Sequence, residues 1–118
     1  MYLIDSTYFL KSIAVPNIEE HNSPELVGLN TSIDRYVRQF LQLTLNNVLF
    51  TDLDNNVTNG VLNISAPQKW QNLVNGCTYT KDGKQYTWLG LKSEQGLYKT
   101  SILAHYTYLN HYQTDINT

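Results

Sequence analysis

Apolar side chains recur at helical spacing through the middle of the chain. Between Ser32 and Leu49 they lie three or four residues apart, and polar side chains occupy the other positions, which is the pattern of a helix with one buried face. Thr31 or Ser32 can cap the first turn, because a hydroxyl oxygen accepts a hydrogen bond from a backbone N–H that lacks a partner in the helix. We expect this helix to form the centre of the core. Its apolar stripe consists of Ile33, Tyr36, Val37, Phe40, Leu41, Thr44, Leu45, Val48 and Leu49.

The N-terminal part of the chain contains two weaker helix signals. Residues 5–14 place several apolar side chains on one face, and Pro16 ends this helix because the residue before a proline avoids helical backbone angles. Ser23 followed by Pro24 is a second helix start, since it combines a hydroxyl cap with proline at the first helical position. Gly28 can interrupt that turn.

Two more helices are predicted in the second half of the chain. Residues 67–76 begin at a proline and end at a glycine, a residue type suited to the position after a helix. Residues 93–112 carry a broad apolar stripe at helical spacing. The side chains expected to be buried on these two helices include Trp70, Leu73, Val74, Ile102 and Leu109.

Two β-hairpins are predicted from dipeptides that favour tight turns. Asn59-Gly60 and Asp82-Gly83 each lie between short runs of strand-forming residues, and both dipeptides tolerate the positive φ that a type I′ turn requires. In the second hairpin a two-residue loop pairs Tyr79 with Tyr86. This register collects every large side chain on one face, which we expect to be half-buried.

These elements predict an α+β, mainly α fold: a small bundle of three to four helices with one or two β-hairpins. The length of 118 residues is that of a single domain. Residues 51–66 are expected to form a protruding loop and hairpin, and the polar tail, 113–118, is expected to be loose. The predicted core comprises Phe40, Leu41, Trp70, Leu73, Trp88, Ile102 and Leu109.

Composition narrows the range of functions. The net charge is -2 and the basic residues are scattered, whereas proteins that bind nucleic acid through its phosphates need a dense basic patch. The apolar runs are too short for a transmembrane helix, and the N-terminus lacks the features of a secretory signal.

Asparagine and glutamine together outnumber the charged residues, and nine tyrosines accompany them. Tyrosine is enriched at protein interfaces, although coding bias in an AT-rich genome would give the same composition.

The chain carries no signature of catalysis. His105 and His111 are six residues apart, so they fall on opposite faces of the predicted helix and cannot bind one metal together; a metal involving them or His21 is not expected. The acidic run that begins at Asp52 alternates like the first half of an EF-hand loop, but it lacks the glycine and the glutamate that this loop requires. Cys77 has no basic neighbour that would activate its thiol. We therefore predict no catalytic, cofactor-binding or metal-binding residue, and no enzyme.

The predicted interaction surfaces are the first hairpin and the C-terminal end. A protruding hairpin has two open edges that can pair with another chain, although the alternative is a mobile surface loop. The candidate subunit-interface residues are Asn55, Asn56, Val57, Thr58, Asn59, Gly60, Val61, Leu62 and Tyr112.

The second half of the chain resembles the small head–tail connector proteins of tailed bacteriophages. These adaptor or neck-ring proteins, in particular those of the crAss-like group, share a Trp/Leu helix ending in glycine, an aromatic hairpin closing in Trp-x-Gly-Leu and a tyrosine-rich helix. The likeness is closer over 67–112 than over 31–66. The residues that carry it are Trp70, Leu73, Gly76, Tyr79, Trp88, Gly90, Leu91, Ser101, Ala104, Tyr106 and Tyr108.

The resemblance implies a non-catalytic structural virion protein. Such a protein is made in the host bacterial cytoplasm and located at the head–tail interface of the virion. It would assemble as a ring, commonly dodecameric, below the portal protein, extend the DNA channel without sequence-specific binding, and dock further neck or tail proteins. The slightly acidic balance fits a channel in which DNA slides, and the short tail leaves docking through the C-terminus open. No cofactor and no membrane contact are implied.

A small protein-binding or regulatory module is the alternative. It would recognise a peptide or a host protein through an aromatic pocket around Trp70, Trp88 and Tyr106.

Overall fold

The protein is an α+β, mainly α domain, which confirms the predicted fold class. The computed structural model describes residues 1–10, 23–95 and 98–117; part of the helix predicted at 5–14 falls outside these ranges. Within them lie a 3-10 helix, four α-helices and three two-stranded antiparallel hairpins. In chain order the elements are the 3-10 helix Ser6–Phe9, α1 Pro24–Thr44, α2 Asn47–Asp54, β1 Val57–Thr58, β2 Val61–Leu62, α3 Gln68–Asn75, β3 Cys77–Lys81, β4 Lys84–Trp88, β5 Ser93–Gln95, β6 Tyr98–Thr100 and α4 Ile102–Asn117.

Helix α1 begins earlier than the predicted start at Ser32. Ser23 caps it, with its Oγ accepting a hydrogen bond from the N–H of Leu26 at 3.1 Å, and Pro24 occupies the first turn. Gly28 does not interrupt the helix. One glycine costs a helix only about 1 kcal/mol, and packing holds the parts of α1 before and after it in place. The signal at Ser23-Pro24 is the true start of the long helix.

Helix α1 also ends earlier than predicted, at Thr44 rather than Leu49. Leu45 is extended, and the Asn46 side chain accepts a hydrogen bond from the N–H of Leu49 at 2.8 Å. This local bond competes with continuation of the helix and starts α2 in a new direction. Val48, predicted to lie on the buried stripe, is therefore exposed.

The core lies between α1 and α4, which run antiparallel. Ser32 Oγ is 2.7 Å from His111 Nδ1 at one end, and Tyr106 packs edge-on against Tyr36 and Phe40 towards the other. The N-terminal segment and α3 contribute side chains to the same cluster. The buried side chains at the centre are Ile4, Phe9, Leu29, Ile33, Val37, Leu41, Leu53, Trp70, Val74, Leu103 and Ala104.

Four of the seven predicted core residues pack in this core, and three do not. Leu41 and Trp70 are buried, and Phe40 and Leu73 are half-buried against the cluster. The prediction was wrong for Trp88, Ile102 and Leu109, which are exposed. The side of α4 that meets α1 carries Leu103, Ala104 and Thr107, so the stripe is rotated from the predicted one and leaves Ile102 and Leu109 facing outwards.

The helix predicted from residue 93 begins only at Ile102. Residues 93–95 and 98–100 instead pair as β5 and β6, with Ser93 opposite Thr100. The Ser101 hydroxyl donates a hydrogen bond to the carbonyl of Leu91 and accepts from the N–H of Leu103 at 3.0 Å. Ser101 thereby caps α4 and fixes its start. At the other end, the backbone of α4 stays helical to Asn117, where a loose tail was expected.

Thr107 provides a test of the α1–α4 contact. Its hydroxyl is fully buried and has no hydrogen-bond partner among the described residues. Thr107→Val keeps the shape of the side chain and removes the unpaired hydroxyl, so we expect it to raise the free energy of unfolding by about 1 kcal/mol in urea denaturation. The same substitution at the exposed Thr31, whose hydroxyl bonds to the Val27 carbonyl, should not stabilise the protein. A loss of stability in Thr107→Val would contradict this account.

Candidate functional site

The hairpin predicted as an interface does not protrude. The N–H of Leu3 donates a hydrogen bond to the Gly60 carbonyl at 2.9 Å, and the Tyr2 side chain lies against Gly60. Leu62 is only 7% exposed and belongs to the core cluster. A hairpin of two residue pairs is not stable by itself in water, and this one gains its stability by packing on the N-terminal segment.

The nine candidate interface residues therefore have different surroundings. Asn55 ends α2, and Asn56 donates from its side chain to the Asp52 carbonyl at 2.8 Å. Tyr112 is partly buried on α4, with its ring 4.7 Å from that of Tyr108. The predicted turn is correct, with the pairs Val57↔Leu62 and Thr58↔Val61. Those that remain exposed are Asn55, Thr58, Asn59 and Val61.

The second hairpin is the one that projects. Residues 77–88, which we call the ribbon, pair in the predicted register, with Tyr79 opposite Tyr86 and Cys77 opposite Trp88. The expectation that one face is half-buried was wrong, because every strand residue except Cys77 is exposed. Among the residues that the structure describes, the two strands pair only with each other. Within the described part of the chain, both edges of the ribbon are therefore unpaired.

The base of the ribbon is fixed to the C-terminus of α3. The last carbonyls of a helix have no partner within the helix. Here the Leu73 carbonyl accepts hydrogen bonds from the Trp88 indole N–H at 2.9 Å and from the Leu91 N–H at 3.0 Å, and the Val74 carbonyl accepts from the Lys92 N–H at 3.1 Å. The Trp88 indole thus caps the C-terminus of α3 and fixes the end of β4 to that helix.

Two glycines allow this close packing. Gly76 and Gly90 have φ of 99° and 94°, values that residues with a Cβ rarely adopt. A Cβ on Gly76 would lie 2.6 Å from the Trp88 carbonyl oxygen, and one on Gly90 would lie 2.5 Å from the Val74 carbonyl oxygen. The chain segments before and after the ribbon therefore cross in backbone contact, which holds the ribbon in a defined direction.

The ribbon presents aromatic and basic groups together. The rings of Tyr79 and Tyr86 stack at 5.6 Å and remain 47% and 42% exposed. Lys81 and Lys84 flank the Asp82-Gly83 turn at the tip. Tyrosine supplies contact area with a hydrogen-bonding end, as is typical of protein interfaces.

An apolar groove lies beside the base of the ribbon. It has a volume of about 280 Å³ and includes Trp88, Leu89, Ile102 and His105 in its lining. The cavities next to Trp88 are lined by neither Trp70 nor Tyr106, because Trp70 is buried in the core and Tyr106 packs on α1. The three residues of the alternative pocket are therefore not brought together at this surface.

The described side chains that could bind a metal or take part in catalysis are dispersed. His105 Nδ1 lies 3.1 Å from the Ser101 carbonyl, and His111 bonds to Ser32 as described above. Within residues 1–10, 23–95 and 98–117, no three His, Cys, Asp or Glu side chains are grouped so that they could hold a metal ion. Cys77 is a free, half-buried thiol at the foot of the ribbon.

Asp52 is a carboxylate with a perturbed environment. Its Oδ2 accepts from the Trp70 indole N–H at 2.8 Å and lies 3.3 Å from Lys69 Nζ. The hydrogen bond from Trp70, followed by that from Lys69, lowers the pKa of this carboxyl below its ordinary value. This side chain joins α2 to α3 and is structural.

A pH dependence follows from that lowered pKa. A carboxyl whose pKa is depressed by folding contributes stability above its ordinary pKa and loses it as the pH falls through the lowered value. Asp52→Asn keeps an acceptor for Trp70 but cannot titrate. We therefore expect urea denaturation at about pH 6 and about pH 3 to show a smaller difference in the variant than in the wild type. Equal differences would contradict the assignment.

The exposed ribbon is the surface that the sequence reasoning missed. The available signal is composition: residues 77–88 contain no Val, Ile, Leu, Met or Phe. A strand that packs on a core usually carries aliphatic side chains, whereas this one carries only tyrosine and tryptophan as large residues.

Comparison of the chain with protein-family models, characterised proteins and solved structures finds no match. In the described part of the chain, no helix is long and apolar enough to cross a membrane.

Proposed function

We propose that this protein is a non-catalytic structural subunit of the head–tail neck of a tailed bacteriophage. It assembles with copies of itself into a ring below the portal protein and extends the channel through which DNA passes. The same ring offers a docking surface to the next neck or tail protein. It acts in the virion, after synthesis in the host bacterial cytoplasm.

The observation that carries this proposal is the ribbon. An isolated two-stranded hairpin is marginally stable in water, and open strand edges are a liability that monomeric proteins usually shield. Here the edges are open and the tyrosine face is exposed, while the base is held rigidly by hydrogen bonds and two glycines. A rigid, exposed ribbon suits an element whose partner is another protein.

The resemblance to connector proteins supports the same conclusion. Of the residues that carry it, Trp88, Gly76, Gly90 and Leu91 build the junction between α3 and the ribbon. Trp70 and Leu73 belong to the helix on which that junction rests. Six of the eleven residues that carry the likeness thus lie at the junction or on the helix beneath it.

Co-assembly with the portal protein of the same phage tests the proposal. The chain is mixed with purified portal, and the complex is separated by size and imaged by negative-stain electron microscopy. The proposal predicts co-elution and a ring of additional density on the portal. Portal particles that remain unchanged, with the chain eluting separately, would overturn it.

The groove beside Trp88, Leu89, Ile102 and His105 favours a second candidate, a peptide-binding module. In that case a ligand should change the fluorescence of Trp88 without any change in oligomeric state. Trp88→Phe should abolish the response and leave only the emission of Trp70.

A further inference from the structure

The two faces of the ribbon differ in chemistry. Side chains alternate between the faces of a strand, and residues directly opposite each other in an antiparallel pair lie on the same face. The register therefore places every aromatic and basic side chain of the two strands on one face, which we call the tyrosine–lysine face. This face carries the pairs Cys77↔Trp88, Tyr79↔Tyr86 and Lys81↔Lys84, and the other face carries Thr78, Thr80, Gln85 and Thr87.

The two lysines of this face lie directly opposite each other at the tip. Like charges in such a cross-strand pair destabilise a hairpin. Both side chains are exposed, and in the part of the chain that the structure describes neither has a carboxylate within ion-pair distance. The tip therefore carries two positive charges without a counterion from its own chain, and an anionic partner would relieve their repulsion.

A protein surface suits this face better than the phosphates of DNA. Two lysines neutralise at most two phosphates, whereas binding through phosphates needs a dense basic patch, and the net charge of this chain is -2. The rings of Tyr79 and Tyr86 would find no free base to stack on in a duplex, because its bases are stacked on one another. Exposed tyrosine is instead typical of protein interfaces, where it offers a flat apolar ring and a hydroxyl group.

A second copy of this chain matches the face less well than a different protein does. Of the acidic side chains that the structure describes outside the ribbon, Asp34 and Asp52 form ion pairs and Asp5 caps the 3-10 helix. The others are Glu25, in the first turn of α1, and Asp54, at the end of α2. These two belong to different helices, whereas two adjacent lysines are best matched by carboxylates that lie together.

We infer that the tyrosine–lysine face of the ribbon docks on an acidic surface of a different protein, which in the proposed neck is the portal protein. The tyrosine rings pack on that surface, and Lys81 and Lys84 pair with its carboxylates. This inference rests on the proposed function and adds to it the face of the ribbon that meets the partner and the chemistry of the partner surface.

Zero-length cross-linking of the portal-bound assembly tests the contact. A carbodiimide joins an amine to a carboxylate only where the two groups touch, and mass spectrometry of the digested product identifies both residues. We expect Lys81 or Lys84 to be joined to an aspartate or glutamate of the portal protein. If these lysines are joined to another copy of the chain, or to nothing in an assembly that forms, the inference is overturned and the neck function stands.

Two double variants with the same change in net charge measure what this face contributes. Lys81→Gln with Lys84→Gln removes two positive charges from it, and Thr80→Glu with Gln85→Glu adds two negative charges to the opposite face. The first should raise the concentration needed to saturate the portal roughly tenfold at about 50 mM NaCl and less than about twofold at about 500 mM NaCl. The second should stay within about twofold of the wild type at both salt concentrations. Equal effects of the two variants would contradict the assignment of the face.

A labelled DNA duplex provides the remaining comparison. We expect its fluorescence anisotropy to stay unchanged when the chain is added. Binding of the duplex by the wild type that is lost in the double glutamine variant would assign the face to phosphates and overturn the inference. A chain that does not bind the portal at all would overturn the proposed function as well.

Discussion

Gly90→Ala is expected to destabilise the protein by about 3 kcal/mol, a large fraction of the stability of a small domain. The alanine Cβ would lie 2.5 Å from the Val74 carbonyl oxygen and 2.8 Å from the Asn75 carbonyl carbon, and the backbone φ of 94° is itself unfavourable for alanine. These contacts are with backbone, so no side-chain rotation relieves them. The measurement is the free energy of unfolding from urea denaturation.

Gly28→Ala is the matched control for this prediction. Gly28 lies in α1, and a Cβ there would meet nothing within 4 Å. Alanine has the higher helix propensity, so this variant should gain up to about 1 kcal/mol. If Gly90→Ala were as stable as the wild type, the ribbon would not be held by the crossing that we describe.

Tyr79→Thr combined with Tyr86→Thr is expected to weaken assembly roughly 100-fold, because two aromatic contacts at an interface are together worth about 3 kcal/mol or more. Threonine retains the preference for strand structure, and the two rings contact mainly each other within the chain. The free energy of unfolding should therefore fall by less than about 1 kcal/mol. Assembly is measured as the concentration needed to saturate the portal, and stability by urea denaturation of the same preparations.

Ile64→Thr provides the comparison, since it removes another exposed apolar side chain at a site away from the ribbon. It should bind portal as the wild type does. Wild-type affinity in the double tyrosine variant would remove the ribbon from the assembly surface.

Turn and helix-end residues correctly predicted the elements that they begin or end. Helix α3 and the register of β3 and β4 follow from Pro67, Gly76 and the Asp82-Gly83 turn. The predicted end of α1 and the predicted start of α4 were wrong because periodicity continues through Asn46 and Ser101, where a side-chain cap starts a new helix. A capping residue changes the chain direction without changing the hydrophobic pattern around it.

The candidate site was harder to predict than the fold. Both hairpins turn at an Xaa-Gly pair; the first was expected to protrude and the second to be half-buried, whereas the first packs on the N-terminal segment and the second is exposed. Leu62 in the first hairpin reaches the core, whereas the strands of the second carry no aliphatic side chain. Which hairpin packs depends on the N-terminal segment that covers Gly60, a contact between residues distant in sequence that no local pattern contains.

Amide hydrogen exchange of residues 77–88, in the isolated chain and in the portal-bound assembly, tests the central claim most directly. The edges of the ribbon are open in the single chain, so the outward-facing amides should exchange fast there and at least ten times more slowly in the assembly. Unchanged exchange across the ribbon, in an assembly whose formation is verified by microscopy, would contradict the role that we assign to it.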